Sequence, residues 1–417
     1  MDNTNTATTT GTASTENGAA NGHHIPNGSD AQSGHAPHNG HLSAEVEQPR
    51  LARPGIARLK PYIPGKPISE VRRELGLADD LTIHKLASNE NVLGPSPRAV
   101  EAMQKAAAEV WLYPDDTCFD LKNALAQFHG VTPEHLIIGN GSDEVIHFLA
   151  LALLDRESGD EVIFGSPSFV QYKAAADIAD VDFVAVPLTP DMRHDLPAIK
   201  AQVNERTKLI FIAQPNNPTG TALTHEEVTA FLDGLPPRVV VVLDEAYQEF
   251  VDDPNAARGL DFVKQGRNVL VMQTFSKAYA LAGLRVGYGI APPALTALLS
   301  QVRGPFNVNS LAQVAAIAAL GDQEHVQRSI AVNAQGREEF YAAFEEMGLT
   351  YIPSQANFVL VDTKLPAKDV FSELLKRGVI VRTGDPFGLP TWLRVTVGTP
   401  EMNARFISSL REILAAA

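Results

Sequence analysis

The sequence predicts an α/β protein: a large unit built on a mostly parallel sheet flanked by helices, followed by a smaller α+β unit. Three observations carry this. Short Val/Ile/Leu runs of strand length alternate with helical stretches through the middle of the chain, a pattern that fits strands buried on both faces of a parallel or mixed sheet. The last hundred or so residues change texture, with long helical stretches first and short strands after them. The length, 417 residues, allows about two or three domains and a large core without covalent staples.

Taken in order, residues 1–50 are mostly Thr, Asn, Gly, His, Ala and Ser, and read as a disordered low-complexity tail. His23, His24, His35, His38 and His41 fall there; a solvated tail accounts for them, and no metal site is expected. Strands are expected at 135–138 (HLII), 161–164 (EVIF), 181–186, 209–213 (LIFIA), 239–243 (VVVVL) and 269–272 (VLVM). Helices are expected between them at 143–154, 170–178 and 225–232. Further on, the pattern predicts helices over about 310–319 and 324–347. A strand at 358–361, a helix near 367–377 and strands near 379–382 and 393–397 complete it.

Composition excludes several classes. A single cysteine, Cys118, rules out an intrachain disulfide. A formal charge of −15 disfavours nucleic acid as a partner. The longest uncharged stretches, 286–302 and 304–321, are broken by Pro, Gly, Asn, Ser or Gln, so no membrane span is expected. The first residues lack a basic region and an apolar run, so no secretory signal is expected either. The expectation is a soluble, cytoplasmic protein.

Four segments carry chemistry. Gln273-Thr-Phe-Ser-Lys277, with Arg285 eight residues past the lysine, follows a strand. Lysine forms Schiff bases with aldehydes, while hydroxyls and a guanidinium suit a phosphate. An aldehyde and a phosphate on one ligand describe pyridoxal 5′-phosphate (PLP). The run VVVVL ends in Asp244 and is followed by Tyr247; a carboxylate at a strand's carboxyl end could keep a pyridine nitrogen protonated. Gln214-Pro-Asn-Asn217-Pro-Thr-Gly220 makes a rigid turn that holds an amide. Gly139-Asn-Gly-Ser142-Asp143-Glu144 places backbone N–H groups at a helix start, where phosphate binds. It is not a dinucleotide fingerprint, because Glu144 stands where the third glycine should be. Singly, each segment also reads as a structural turn or surface feature; their order is what is specific.

With those segments in view, the chain resembles the class I/II aminotransferases of the fold-type I PLP enzymes, and within them the histidinol-phosphate aminotransferases. The resemblance covers about residues 53–415. It also rests on Lys60-Pro-Tyr62, Asn89-Glu90-Asn91, Tyr113-Pro-Asp115, Asn357-Phe358 and Arg394-Val-Thr-Val-Gly398. It implies a seven-stranded sheet in a large PLP-binding domain at 96–304, an N-terminal arm at 51–95 joining the small domain, and a small C-terminal domain at 305–417. It implies Lys277 as the amine that joins the cofactor and shuttles the proton, Asp244 on the pyridine nitrogen, and Asn217 and Tyr247 on the ring oxygen. Tyr172 would stack on the ring; Ser142, Asp143, Thr274, Ser276 and Arg285 would hold the phosphate, with Tyr113 reaching it from the neighbouring subunit of a homodimer. Arg394, Tyr62, Asn357 and Arg382 would serve the substrate. The implied activity is transfer of an amino group from histidinol phosphate to 2-oxoglutarate in histidine biosynthesis, with small-molecule amino donor and 2-oxo acid as partners. An aromatic amino-acid aminotransferase and a decarboxylase of phosphorylated amino acids share these motifs. A PLP-binding transcriptional regulator would need a basic helix-turn-helix where the acidic tail stands. One departure stands out: Val92-Leu93 replaces the family's usual Pro-aromatic pair after Asn91.

Overall fold

The computed structural model describes residues 54–59, 68–75 and 82–417. The expected tail, Lys60 and Tyr62 lie outside the described residues. Strands run β1 (His84–Lys85), β2 (Leu136–Gly139), β3 (Glu161–Ser166), β4 (Asp182–Pro187), β5 (Thr207–Ala213), β6 (Val240–Asp244), β7 (Val269–Thr274) and β8 (Gly287–Ile290). They continue as β9 (Thr350–Ile352), β10 (Phe358–Asp362), β11 (Val379–Ile380), β12 (Arg382–Thr383) and β13 (Trp392–Thr396).

Seven strands form the main sheet, in the order β2-β8-β7-β6-β5-β3-β4. All neighbours are parallel except β8, which is antiparallel to both β2 and β7. The continuous apolar runs are explained by two-sided burial. Ile210, Ile212, Val241, Leu243, Val269 and Val271 face one core. Leu209, Phe211, Val240, Val242, Leu270 and Met272 alternate with them to face the other. Each such side chain, fully buried, contributes about 1.5–3 kcal/mol.

A smaller antiparallel sheet has the order β12-β13-β10-β9. Its core joins Val359, Val361, Leu393 and Val395 to Phe340, Phe344, Phe406 and Leu410 of the helices Gln323–Glu346 and Pro400–Ala415. Two expectations are corrected here. The single strand at 379–382 is two strands: Val379–Ile380 pairs in parallel with His84–Lys85, and Arg382–Thr383 pairs with β13. The alternating pattern could not show the chain changing partners after Ile380. The helix Ser310–Leu320, expected with the small unit, buries Ala312, Ala315, Ala316 and Ala319 in the core of the large sheet. Small side chains permit that close approach, and they carry no marker of which sheet they face.

Candidate active site

The carboxyl ends of β5, β6 and β7 open into a cavity of about 310 Å³. Open α/β sheets bind ligands at this edge. The register sets Ala213 beside Asp244 and Asp244 beside Met272, so the strand-end carboxylate sits in the middle of the sheet.

Asp244 is buried. Its Oδ2 accepts from the Tyr172 hydroxyl at 2.7 Å and its Oδ1 from the Ala246 N–H at 3.2 Å. Burial pushes the carboxyl up to about 6, against those two donors. The Tyr172 hydroxyl is itself driven well above the phenol range, first by burial and then by Asp244. Lys277 Nζ donates to the Ser88 carbonyl at 3.1 Å. Burial, helped by the Arg394 guanidinium, lowers its amine to about 8, with Glu90 and Asp143 opposing. About a tenth of it is therefore neutral, and nucleophilic, at pH 7, far more than of an ordinary lysine.

Arg394 Nη1 donates to Asn217 Oδ1 at 2.6 Å and Nη2 to the Ala87 carbonyl at 2.7 Å. A guanidinium only donates, so the Asn217 oxygen is engaged and its NH₂ is left as the donor. Arg382 is in the cavity wall with Arg394.

At the other end, the Thr274 and Ser276 hydroxyls are 3.0 Å apart, and Arg285 reaches Ser276 Oγ at 3.5 Å and Asp143 Oδ2 at 3.4 Å. Behind them the helix Ser142–Leu153 begins. Its first N–H groups have no partner within the helix. Gly141, at φ 78, and Gly287 make room: a Cβ on Gly287 would lie 2.4 Å from the Ser142 nitrogen. Hydroxyls, a guanidinium and a helix N-terminus around one space suit a phosphate dianion. With a lowered lysine amine and a buried strand-end carboxylate in the same cavity, the residues fit PLP. Among the described residues no group of His, Cys, Asp or Glu is placed to hold a metal ion.

Most sequence-predicted residues thus converge: Ser142, Asp143, Tyr172, Asn217, Asp244, Tyr247, Thr274, Ser276, Lys277, Arg285, Arg382 and Arg394 all line the cavity. Three differ from what the resemblance implied, Tyr172 in the direction of its ring although it lines the cavity, Asn357 and Tyr113 in their position. The Tyr172 ring stacks on Phe211 at 4.7 Å, so its contribution is the hydroxyl on Asp244, not a face for the cofactor. The aromatic side chain it leaves for the cavity is Phe169, which the sequence reading passed over although it stands three residues earlier in the same segment. Asn357 is not in the wall; it lies behind it and donates to the Asn89 carbonyl at 3.0 Å. Tyr113 is not in the wall either: it is 82% exposed, stacked on Phe306 at 4.6 Å. The Val92-Leu93 departure falls beyond the cavity wall, in the turn closed by Gly94.

The fold and this site define a class of enzyme, and the chain belongs to it: the family described as aminotransferase class I and II matches residues 82–410. PLP is its cofactor. Among its relatives, the chain is similar to the histidinol-phosphate aminotransferase of Moorella thermoacetica, 51% identical over 364 residues, which cover 87% of this chain and 93% of that protein. Similarity to histidinol-phosphate aminotransferase 2 of Carboxydothermus hydrogenoformans is 50% over 368 residues, 87% of this chain and 99% of the other. The crystal structure of histidinol-phosphate aminotransferase from Sinorhizobium meliloti in complex with PLP has a TM-score of 0.80 at 28% identity, covering 88% of this chain and 98% of that one.

Proposed function

We propose that this aminotransferase exchanges the amino group of histidinol phosphate with 2-oxoglutarate, giving imidazole acetol phosphate and glutamate, as a cytoplasmic homodimer. The observation that carries it is one cavity holding a lowered lysine amine, a buried carboxylate and two guanidinium groups, Arg382 and Arg394. The near-complete coverage of relatives named for this reaction supports the substrate. Both substrates must use the same pocket, and a guanidinium accepts a phosphate or a carboxylate in the same bidentate manner.

Bound in the cavity, PLP supplies an aldehyde that captures amines and a ring that takes up the electron pair left by a departing Cα proton. Lys277 holds the cofactor and then, as the neutral amine, takes and returns the proton at Nζ. Asp244 keeps a proton on the ring nitrogen, steered by Tyr172. The Asn217 NH₂ and the Tyr247 hydroxyl hold the ring oxygen. The helix start at Ser142 and Asp143, with Thr274, Ser276 and Arg285, holds the phosphate, which Tyr113 of a second copy also reaches. Arg394 clamps the substrate carboxylate or the group that replaces it, and Arg382, with Tyr62, serves the far end of the substrate.

The test is single-turnover loss of the lysine-linked cofactor's absorbance on mixing with each amino donor. Histidinol phosphate and glutamate are expected to react fast and phenylalanine slowly. A dominant response to phenylalanine would instead make the enzyme an aromatic amino-acid aminotransferase.

A further inference from the structure

Asn89 is buried, adopts a left-handed conformation at φ 55, and lines the cavity between the two sheets. Asparagine tolerates this backbone better than most residues, yet it is still uncommon and needs to be held in place. Three hydrogen bonds hold it. Its N–H donates to Thr396 Oγ1 at 3.0 Å, its carbonyl accepts from Asn357 Nδ2 at 3.0 Å, and Thr396 Oγ1 donates to its Oδ1 at 3.1 Å. The remaining side-chain atom, Nδ2, lies 2.9 Å from the Tyr247 hydroxyl.

The direction of these bonds follows from counting protons. The Thr396 hydroxyl accepts the Asn89 N–H, so its own proton is available for Oδ1. The structure places Oδ1 toward Thr396, where that proton finds its acceptor, and the NH₂ toward Tyr247. An amide NH₂ only donates, so the phenol oxygen is the acceptor of this bond and its single proton is directed away from Asn89. The phenol ring packs edge-on against Phe358 at 5.1 Å, which fixes the position of its oxygen.

We infer that Asn89 is a positioning residue for Tyr247: its side-chain amide fixes the phenol oxygen as an acceptor on one side, so that the Tyr247 proton is presented to the ring oxygen of the cofactor. This rests on the assignment of Tyr247 to that oxygen in the proposed function. Donation to the ring oxygen stabilises the lysine-linked cofactor in the form that has lost its proton, and so lowers the pH at which its absorption band changes.

The test is that absorption midpoint, titrated on the purified holoenzyme. Asn89→Gly suits the left-handed backbone and keeps both main-chain bonds, while removing only the side-chain amide. It is expected to raise the midpoint by about 0.5–1 pH unit, a tilt of roughly three- to tenfold in proton affinity. Tyr247→Phe is expected to raise it at least as far, and adding Asn89→Gly to Tyr247→Phe to change nothing more. An unchanged midpoint in Asn89→Gly beside a raised one in Tyr247→Phe overturns the inference, as does an Asn89→Gly shift that persists in full in the double variant. If Tyr247→Phe itself leaves the midpoint in place, it is the assignment of Tyr247 that fails, and the inference falls with it. Should Asn89→Gly not fold, Asn89→Asp keeps the shape and replaces the donor by an acceptor, but its added charge alone raises the midpoint, so it is read against Asn89→Asp in the Tyr247→Phe background: a shift that shrinks there supports the inference, and one that persists in full overturns it.

Discussion

Lys277 and Asp244 are both pushed by burial toward their uncharged forms, one down to about 8 and the other up to about 6. Each shift has a cost in the protein without cofactor. For Asp244 the charged form is penalised, so stability falls as pH rises from 3.8 to about 6. For Lys277 the penalty is full below about 8 and is relieved as pH climbs toward 10.5. The same lysine shift predicts chemistry. The rate of PLP uptake by the apoprotein should rise with pH and level off above about 8; a rise that continues to the value of an ordinary lysine would refute the buried, lowered amine. Asp244→Asn keeps the shape but loses the charge. A hydrogen bond to a charged group is worth about 1.5–3 kcal/mol, so kcat should fall about 10–100-fold or more, with bound cofactor measured separately by its absorbance. Near-normal turnover would remove Asp244 from its role. These two residues were legible in the sequence because the chemistry demands a specific side chain at a strand end. Tyr172, Phe169 and Asn357 were misplaced or missed because their roles depend on ring stacking and on which partner lies behind them, and no local spacing encodes that.

At the scale of elements, the strands that frame the site were readable because burial on both faces leaves an unbroken Val/Ile/Leu run, as at Val240–Asp244. The strand Gly287–Ile290 has two glycines in four residues and shows no such run. Its glycine is required by the phosphate end of the site, not by the sheet. The Cβ of Gly287→Ala would meet the Ser142 nitrogen at 2.4 Å and the Gly141 carbonyl carbon at 2.7 Å, both backbone atoms that have no side-chain freedom to yield. Overpacking of this kind costs about 1–3 kcal/mol, and the element that must move is the N-terminus of the helix Ser142–Leu153. Gly287→Ala should therefore lower the denaturation midpoint and also weaken PLP binding, read by equilibrium titration of the apoprotein. Gly321→Ala, whose Cβ would meet nothing closer than 3.5 Å, is the control and should do neither. Weakened stability with intact cofactor affinity would separate the helix start from the phosphate site. The short pairing of His84–Lys85 with Val379–Ile380 was equally hidden, since two residues carry no periodicity.

For the whole molecule, strand order and the path of the chain between sheets were beyond reach of local pattern, whereas the α/β class followed from alternation alone. Among the described residues, the longest run of exposed large apolar side chains is one stretch. Val110, Trp111, Leu112 and Tyr113 are exposed, Trp111 by 80%, and Phe119 and Phe306 are exposed beside them in sequence or in contact. Clusters of large apolar side chains on a surface mark contact sites. This one is held in a defined shape: Arg303 pairs with both oxygens of Asp116, at 3.1 and 2.7 Å, and Asp116 also accepts the Phe306 N–H, which ties the segment after Tyr113 to the ring that Tyr113 stacks on. A rigid aromatic projection fits the proposal that Tyr113 enters a second copy's phosphate site. Trp111→Glu breaks such an assembly without altering Tyr113, and should halve the mass seen by sedimentation while weakening PLP affinity about tenfold or more, the loss of one hydrogen bond to a charged group. Tyr113→Phe should leave the mass unchanged and produce the same loss of affinity. A Trp111→Glu monomer that binds PLP as tightly as the parent would show the phosphate site complete within one chain, and the aromatic projection would then serve assembly alone.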